Sequence, residues 1–344
     1  MFLYDIWYFA CPAETLKPGQ MQRKILLGEP VLLGRSQSGE AFALRDICPH
    51  RGVPLSAGRI EGAQIECPYH GWKFGTDGAC TLIPSLVGGQ NVETSKIRVR
   101  RYPLRESQGN LWIYMADAAR AELAPSHEPP LLPGFMQDRA ANIRESMRFQ
   151  CHVDHAVVGL MDPAHGPFVH RAWWWRSAKS AHEKAKAFAP SELGFTMVEH
   201  RPSSNSAAYR ILGSTPTTEI SFRLPGIRIE HIKVGRHRLV GLTSVTPIDA
   251  NATEITQSFY WTMPALSVAK PVLRHFMRAF LGQDRDMVNL QQEGLRFDPK
   301  LMLINDADTQ AKWYHQLKSQ WMETQTQGRP FENPVKAATL RWRS

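Results

Sequence analysis

Over residues 1 to about 115 the apolar positions come in short runs, Lys24-Ile-Leu-Leu27, Val31-Leu-Leu33 and Ala41-Phe-Ala-Leu44 among them, cut by Gly and Pro at close intervals. That pattern predicts many short strands and a small β domain. From 116 to 137 the chain turns Ala- and Pro-rich. Pro125, Pro129-Pro130 and Pro133-Gly134 exclude a continuous helix, so the domain boundary is placed here, giving 1–118 and 119–344. A helical stretch is expected over 151–161. It stops at Asp162-Pro163, because proline disfavours helical geometry in the residue before it, and Gly166-Pro167 breaks the chain again. Strand patterns follow at 219–224, 228–234, 239–246 and 254–263. In the last, Ile255, Phe259, Trp261 and Met263 alternate with Thr256, Ser258, Tyr260 and Thr262. Over 265–293 the period becomes helical, with Leu273, Met277, Phe280, Asp284, Met287 and Gln291 on one face.

With 43% hydrophobic and 21% charged residues, the 344-residue chain has the balance of a globular protein large enough for two cores. The net charge of +9 raises the question of nucleic acid. The basic residues are dispersed, and the clusters at 98–101, 179–186 and 236–238 carry no nucleic-acid motif. They are read as solvated faces, with a dock for an acidic partner as the alternative. Cys11, Cys48, Cys67, Cys80 and Cys151 are an odd and sparse set, which points to a reducing, cytoplasmic setting. Residues 1–10 hold Asp5 and lack a basic start, so they read as a first strand and not a signal peptide. No run approaches the roughly eighteen apolar residues of a membrane span.

Two arms carry the most specific chemistry: Cys48-Pro-His50 and, sixteen residues on, Cys67-Pro-Tyr-His70. Pro49, Pro68 and Gly71 supply tight turns. Two thiolates and two imidazoles in matched pairs meet the requirement of a Rieske [2Fe-2S] centre, in which one iron takes two Cys and the other two His. Zinc accepts the same donors, although its sites usually pair Cys with Cys and His with His. Farther on, His165 and His170 are five residues apart, about 140° around an unbroken helix, and the Gly166-Pro167 break is what allows them to converge. Asp284 lies on a mostly apolar stripe, where a carboxylate needs a cation; Asp286 is rotated by about 200°. For an isolated H-x4-H the ordinary reading is two loop histidines, and for Asp284 a salt bridge to Arg278 or Arg285.

Taken together, these motifs resemble the Rieske non-haem iron oxygenases along nearly the whole chain. The likeness runs through Trp7-Tyr8, Cys48-Pro-His50-Arg51-Gly52, Cys67-Pro-Tyr-His70-Gly71-Trp72, Gly78-Ala79-Cys80, Ile83-Pro84 and Gly109-Asn-Leu-Trp-Ile113. It continues through Asp162-Pro-Ala-His165-Gly-Pro-Phe-Val-His170 and Gln283-Asp284-Arg285. The resemblance implies an α+β chain, an N-terminal all-β Rieske domain followed by a helix-grip catalytic domain with a curved antiparallel sheet. It implies a [2Fe-2S] cluster on Cys48, His50, Cys67 and His70, and mononuclear Fe(II) on His165, His170 and Asp284. Asp162 would bridge His165 to the cluster ligand His70 of a neighbouring subunit in a head-to-tail C3 homotrimer. Electrons would come from NAD(P)H through a separate reductase, directly or by way of a ferredoxin, since no nicotinamide- or flavin-binding fingerprint is present. The implied reaction is hydroxylation or oxidative demethylation of a hydrophobic, aromatic or polycyclic small molecule. The alternative is a Rieske electron-transfer or redox-sensing protein with a ligand-binding helix-grip domain.

The chain departs from the family at Val158-Gly159, where many relatives carry an Asn, often after an Asp. His152, Asp154 and His155 are expected to act structurally or in support of the site. Phe259 and Trp261 on the apolar sheet face suggest contact with a ring compound. Trp173-Trp174-Trp175 is a candidate pocket lip or lipid-facing patch, with packing the favoured alternative for most of these aromatics, Phe259 and Trp261 included; 178–188 is a candidate lid, with an ordinary surface loop as the alternative. The reaction subtype and the substrate are not encoded in the ligand set.

Overall fold

The computed structural model describes residues 1–120, 124–170, 181–202 and 216–344. They form two compact units: Phe2–Leu131 with Gln137–Arg139, and Leu132–Met136 with Ala140–Ser344.

The first unit holds eleven strands: β1 (Ile6–Pro12), β2 (Met21–Leu26), β3 (Glu29–Arg35), β4 (Ala41–Arg45), β5 (Arg59–Glu61), β6 (Gln64–Glu66), β7 (Lys73–Gly75), β8 (Cys80–Leu82), β9 (Arg101–Tyr102), β10 (Leu104–Ser107) and β11 (Asn110–Met115). They make three antiparallel sheets, in the orders β1-β11-β10, β2-β3-β4-β9 and β5-β6-β7-β8. The apolar runs supply the core, where Leu32, Phe42, Leu44, Ile65 and Phe74 pack with Cys48, Cys67 and Cys80. Each large side chain so buried stabilises by roughly 1.5–3 kcal/mol. The turn before β8 requires glycine: Gly78 has φ +85°, and a Cβ there would lie 2.2 Å from the Val99 carbonyl oxygen. The Pro-rich connection begins inside this unit, since Trp7 Nε1 donates to the His127 carbonyl at 2.6 Å.

The second unit is one eight-stranded antiparallel sheet with helices. Its strands are β12 (Ile143–Phe149), β13 (Glu183–Ser191), β14 (Gly194–His200), β15 (Thr217–Arg223), β16 (Ile227–Val234), β17 (His237–Asp249), β18 (Ala252–Trp261) and β19 (Ala338–Arg343), in the order β12-β18-β17-β16-β15-β14-β13-β19. The helices are α1 (Val153–Met161), α2 (Gly166–Val169), α3 (Pro264–Val268), α4 (Lys270–Leu295) and α5 (Thr309–Gln327). The long α4 lies on β12, and α1 touches the sheet, α4 and α5. Trp313 and Tyr314 of α5 pack on Phe188, Phe195 and Phe222 at the other end of the sheet. The α+β class and the four strands read from the pattern are present.

Packing decides three local features that the pattern left open. The hydroxyl-bearing face of β18 is buried, because its polar atoms are satisfied across the sheet: Ser146 Oγ meets Thr256 Oγ1 at 2.8 Å, and Arg144 Nε donates to Ser258 Oγ at 2.8 Å. The apolar face does not reach a ligand at Phe259 and Trp261. Both pack with Leu273 and Met277 of α4, and Gly241 opposite leaves room for the Phe259 ring. Residues 183–188 are strand β13, paired with β19, and not part of a lid; Lys184, expected on a solvated face, is buried and donates to Ser344 Oγ at 2.8 Å. The Trp173–Trp175 run lies outside the described residues. No described helix is long and apolar enough to cross a membrane.

Candidate metal centres

The two Cys/His arms share one backbone design. In the first, Gly52 N–H donates to the Cys48 carbonyl (2.9 Å) and Cys48 N–H to the Val53 carbonyl (2.9 Å). In the second, Gly71 N–H donates to the Cys67 carbonyl (3.1 Å) and Cys67 N–H to the Trp72 carbonyl (2.8 Å). Each turn closes on a left-handed glycine, Gly52 at φ +73° and Gly71 at φ +69°. The imidazole sits two residues after the first cysteine and three after the second, and the His50 and His70 rings come to 4.5 Å between centroids. Both cysteines are buried and both histidines exposed. The Trp72 indole stacks flat on His50 at 4.7 Å, and Tyr69 covers His70 at 3.9 Å. Burial pushes the Cys48 thiol up to about 11, and its hydrogen bond with Cys67 adds to this. Such a thiol stays neutral unless a metal takes the proton's place.

In the second unit the breaks at Pro163 and Pro167 decide the geometry. Proline is tolerated in the first turn of α2, where its missing N–H costs no helical bond, so the four-residue helix is flanked by His165 and His170. Their Nε2 atoms converge to 3.1 Å. The Asp284 carboxylate arrives from α4, 3.3 Å from His170 Nε2 and 3.7 Å from His165 Nε2. The three donor atoms lie within 4.8 Å of one another, as a metal ion requires. The far nitrogen of each ring is engaged: His165 Nδ1 donates to the Asp162 carbonyl (2.8 Å) and His170 Nδ1 to Gln283 Oε1 (3.0 Å). Those bonds fix the tautomers that leave both Nε2 lone pairs free for a metal. Phe280 stacks on the buried His170 ring at 3.4 Å.

Charge agrees with geometry. Burial pushes the Asp284 carboxyl up to about 6. Neither basic neighbour relieves it, because Arg278 pairs with Glu145 (3.1 Å) and Arg285 with Asp286 (2.9 Å). Burial works against ionisation of Asp162 too. There the hydrogen bond and charge of His165, with the N–H groups of Ala164 and His165, outweigh it and hold the carboxyl below its ordinary range. Burial pulls the His165 ring down, but Asp162 and then Asp284 leave it above its ordinary value.

Sequence comparison matches residues 6–103 to the Rieske [2Fe-2S] domain and residues 149–324, just over half of the chain, to the vanillate O-demethylase oxygenase C-terminal domain. The chain belongs to the Rieske oxygenase family. Among relatives of this chain, the dicamba O-demethylase oxygenase component of Stenotrophomonas maltophilia is 33% identical over 178 residues, 50% of this chain and 48% of that one. The iron-sulfur subunit of the toluene-4-sulfonate monooxygenase system of Comamonas testosteroni is 34% identical over 181 residues, 50% of this chain and 46% of that one. The matches span from a quarter to about half the length of the curated relatives. The crystal structure of dicamba monooxygenase bound to dicamba superposes with a TM-score of 0.74 over 95% of this chain and 99% of that chain, at 20% identity. That likeness carries the fold.

Beside the His165, His170 and Asp284 cluster opens a cavity of about 290 Å³. Its apolar wall includes Phe149, Val158, Leu160, Met161, Ile255, Leu281 and Val288. Val158 and Gly159, where the chain departs from many relatives, both line it, and a Cβ on Gly159 would meet nothing within 4 Å. The buried stripe of α4 is rotated slightly from the expected one, running through Val288 while Met287 is 45% exposed. Of the supporting residues, His152 caps α1, accepting from Asp154 N–H at 3.2 Å, and Asp154 ties α1 to α5. Trp72 and Gln283 stood inside the motifs and Phe280 on the helical stripe, each without a role of its own. The cavity's Gln257 and Gln310 carried no signal at all, since nothing local marks which residues of distant elements meet.

Proposed function

We propose that this chain is the terminal oxygenase component of a multicomponent Rieske system, acting with an NAD(P)H-dependent reductase, directly or through a ferredoxin, on a hydrophobic small molecule. The observation that carries the reading is the convergence of His165, His170 and Asp284, with both outer ring nitrogens held, beside a mostly apolar cavity in a chain that also has the Rieske domain. Two His and one carboxylate are the facial set that leaves positions open on Fe(II). Cys48, His50, Cys67 and His70 would hold the [2Fe-2S] cluster, with the thiols buried and the imidazole edges outward for electron entry. Bound there, the two centres supply single electrons and a place for dioxygen.

The rest falls to the chain's own groups. The Asp162 carbonyl and Gln283 orient the two rings, and the cavity wall excludes water and holds an apolar substrate beside Asp284. The Asp162 carboxylate accepts from Ala164 N–H at 2.7 Å and stands 3.6 Å from His165 Nδ1. With a side chain 33% exposed, it is available to a second imidazole, His70 of a neighbouring protomer in a head-to-tail trimer. The cavity volume lies at the low end of ligand sites, which favours a compact ring compound over a large polycycle.

The test is metal content. Protein assembled anaerobically should hold three irons per chain. His165→Ala and Asp284→Ala should hold two, with the reduced-cluster EPR signal intact and product formation under 18O2 with a surrogate reductase abolished. Two irons in the unaltered protein at full cluster occupancy would leave an electron-transfer protein.

A further inference from the structure

The cavity holds polar groups that the iron chemistry does not use. Gln310, in the first turn of α5, is 7% exposed, and its side-chain amide makes no hydrogen bond among the described residues. Gln257, on β18 and in register with Glu145 and Thr243, likewise offers an amide without a hydrogen bond among the described residues. Its neighbour Glu145 is committed to Arg274 (3.2 Å) and Arg278 (3.1 Å). Gln310 is buried and Gln257 half-buried, and two amides with unused donors and acceptors on the wall of one cavity mark where a ligand's polar group would go.

The charge of the same wall says which polar group. Asp162, Asp284 and Asp308 all line the cavity, and Asp308 is occupied in accepting from Ile304 N–H at 2.9 Å. No Lys or Arg lines the cavity among the described residues. A carboxylate or sulfonate placed there would find no fixed cation to pair with. A hydroxyl, carbonyl or carboxamide would meet two amides, each able to donate and accept.

We propose that Gln257 and Gln310 are specificity-determining residues that hold an uncharged hydrogen-bonding group of the substrate, so that this oxygenase takes neutral, mono- or bicyclic molecules and discriminates against organic anions. The proposal rests on the oxygenase reading for what happens to the molecule, but not for whether it binds. Binding is therefore measured without turnover, by calorimetry on the anaerobic, iron-loaded, oxidised protein.

The probes are matched by shape: 4-methoxybenzamide against 4-methoxybenzoate, toluene-4-sulfonamide against toluene-4-sulfonate, and 4-methylanisole as the bare ring. Each amide should bind at least tenfold more tightly than its anion. Gln310→Leu and Gln257→Leu should each weaken the amides about two- to tenfold, the value of one neutral hydrogen bond, and leave 4-methylanisole unchanged. Gln310→Met, unbranched and closer in shape, is the second variant should Leu disturb α5. Anions bound as well as amides, amides bound no better than the bare ring, or variants that weaken all three probes alike would each overturn the proposal. Loss of turnover with the binding preference intact would instead count against the oxygenase reading.

Discussion

Asp154 offers a quantitative test of how the second unit holds the segment that carries His165 and His170. Near the start of α1, its carboxylate accepts from Tyr314 Oη (2.5 Å) and from Lys318 Nζ (2.6 and 2.7 Å), both in α5. Its side chain is 24% exposed and that of Lys318 is 11% exposed. Asp154→Ala leaves the Lys318 ammonium, 11% exposed, without its carboxylate. Breaking a fully buried pair costs about 3–5 kcal/mol; with the residual solvent access here, about 2–3 kcal/mol is expected, or roughly 5–10 °C in Tm for a unit of this size. Asp154→Leu with Lys318→Met removes both charges and should recover most of the loss, because the desolvation penalty goes with them. Burial would by itself raise the Asp154 carboxyl, but Lys318 and Tyr314 outweigh it and hold it below the ordinary value of 3.8. A depressed carboxyl contributes stability above its unfolded value and loses it as pH falls through the folded one. The gap between wild type and Asp154→Ala should therefore be flat from pH 8 to about 5 and close below about 4. Scanning fluorimetry across that range measures it. A single variant within about 0.5 kcal/mol of wild type, or a double variant as unstable as the single, would refute the reasoning. Because α1 ends at Asp162, mononuclear iron occupancy should fall in Asp154→Ala and return in the double variant.

Metal binding at His165, His170 and Asp284 should weaken as pH drops below about 6, since the Asp284 carboxyl must lose its proton to ligate; titrating Fe(II) or Co(II) into the chelated protein at pH 5 and 7.5 would show it. Replacing His50 and His70 together by Cys should lower the cluster potential from the Rieske range toward roughly −400 mV, read by redox titration of the EPR signal. Gly78→Ala drives a Cβ to 2.2 Å from the Val99 carbonyl at φ +85° and should cost more than about 2 kcal/mol, seen as loss of cluster-loaded protein; Gly159→Ala, with open space around it, should load normally.

How much of this was legible in the sequence depended on whether the information was local. The arms at Cys48 and Cys67 and the Asp162-to-His170 segment carry their turn-makers beside their ligands, so motif and geometry coincide. Asp284 was legible because helical period places it on a buried face, and the same period separates it from Asp286, which the structure puts at 60% exposure in a pair with Arg285. For the apolar face of β18 the pattern left ring contact and packing both open, because alternation says which side of a strand is apolar but not what covers it. Here α4 does, through Leu273 and Met277.

The same limit explains why the ligand set and the cavity answer different questions. His165, His170 and Asp284 come from two segments whose donor atoms meet as a metal ion would require, and that requirement is the same whatever the substrate. The cavity wall draws on β12, β18, α1, α4 and α5 together, and its two amides lie more than fifty residues apart. Val158 and Gly159 give the wall no polar side chain, so hydrogen-bonding capacity toward a ligand comes from elsewhere on it. Gln257 on the sheet and Gln310 on α5 line the same cavity and offer it. Selectivity in this chain is therefore carried by residues that no ligand motif contains.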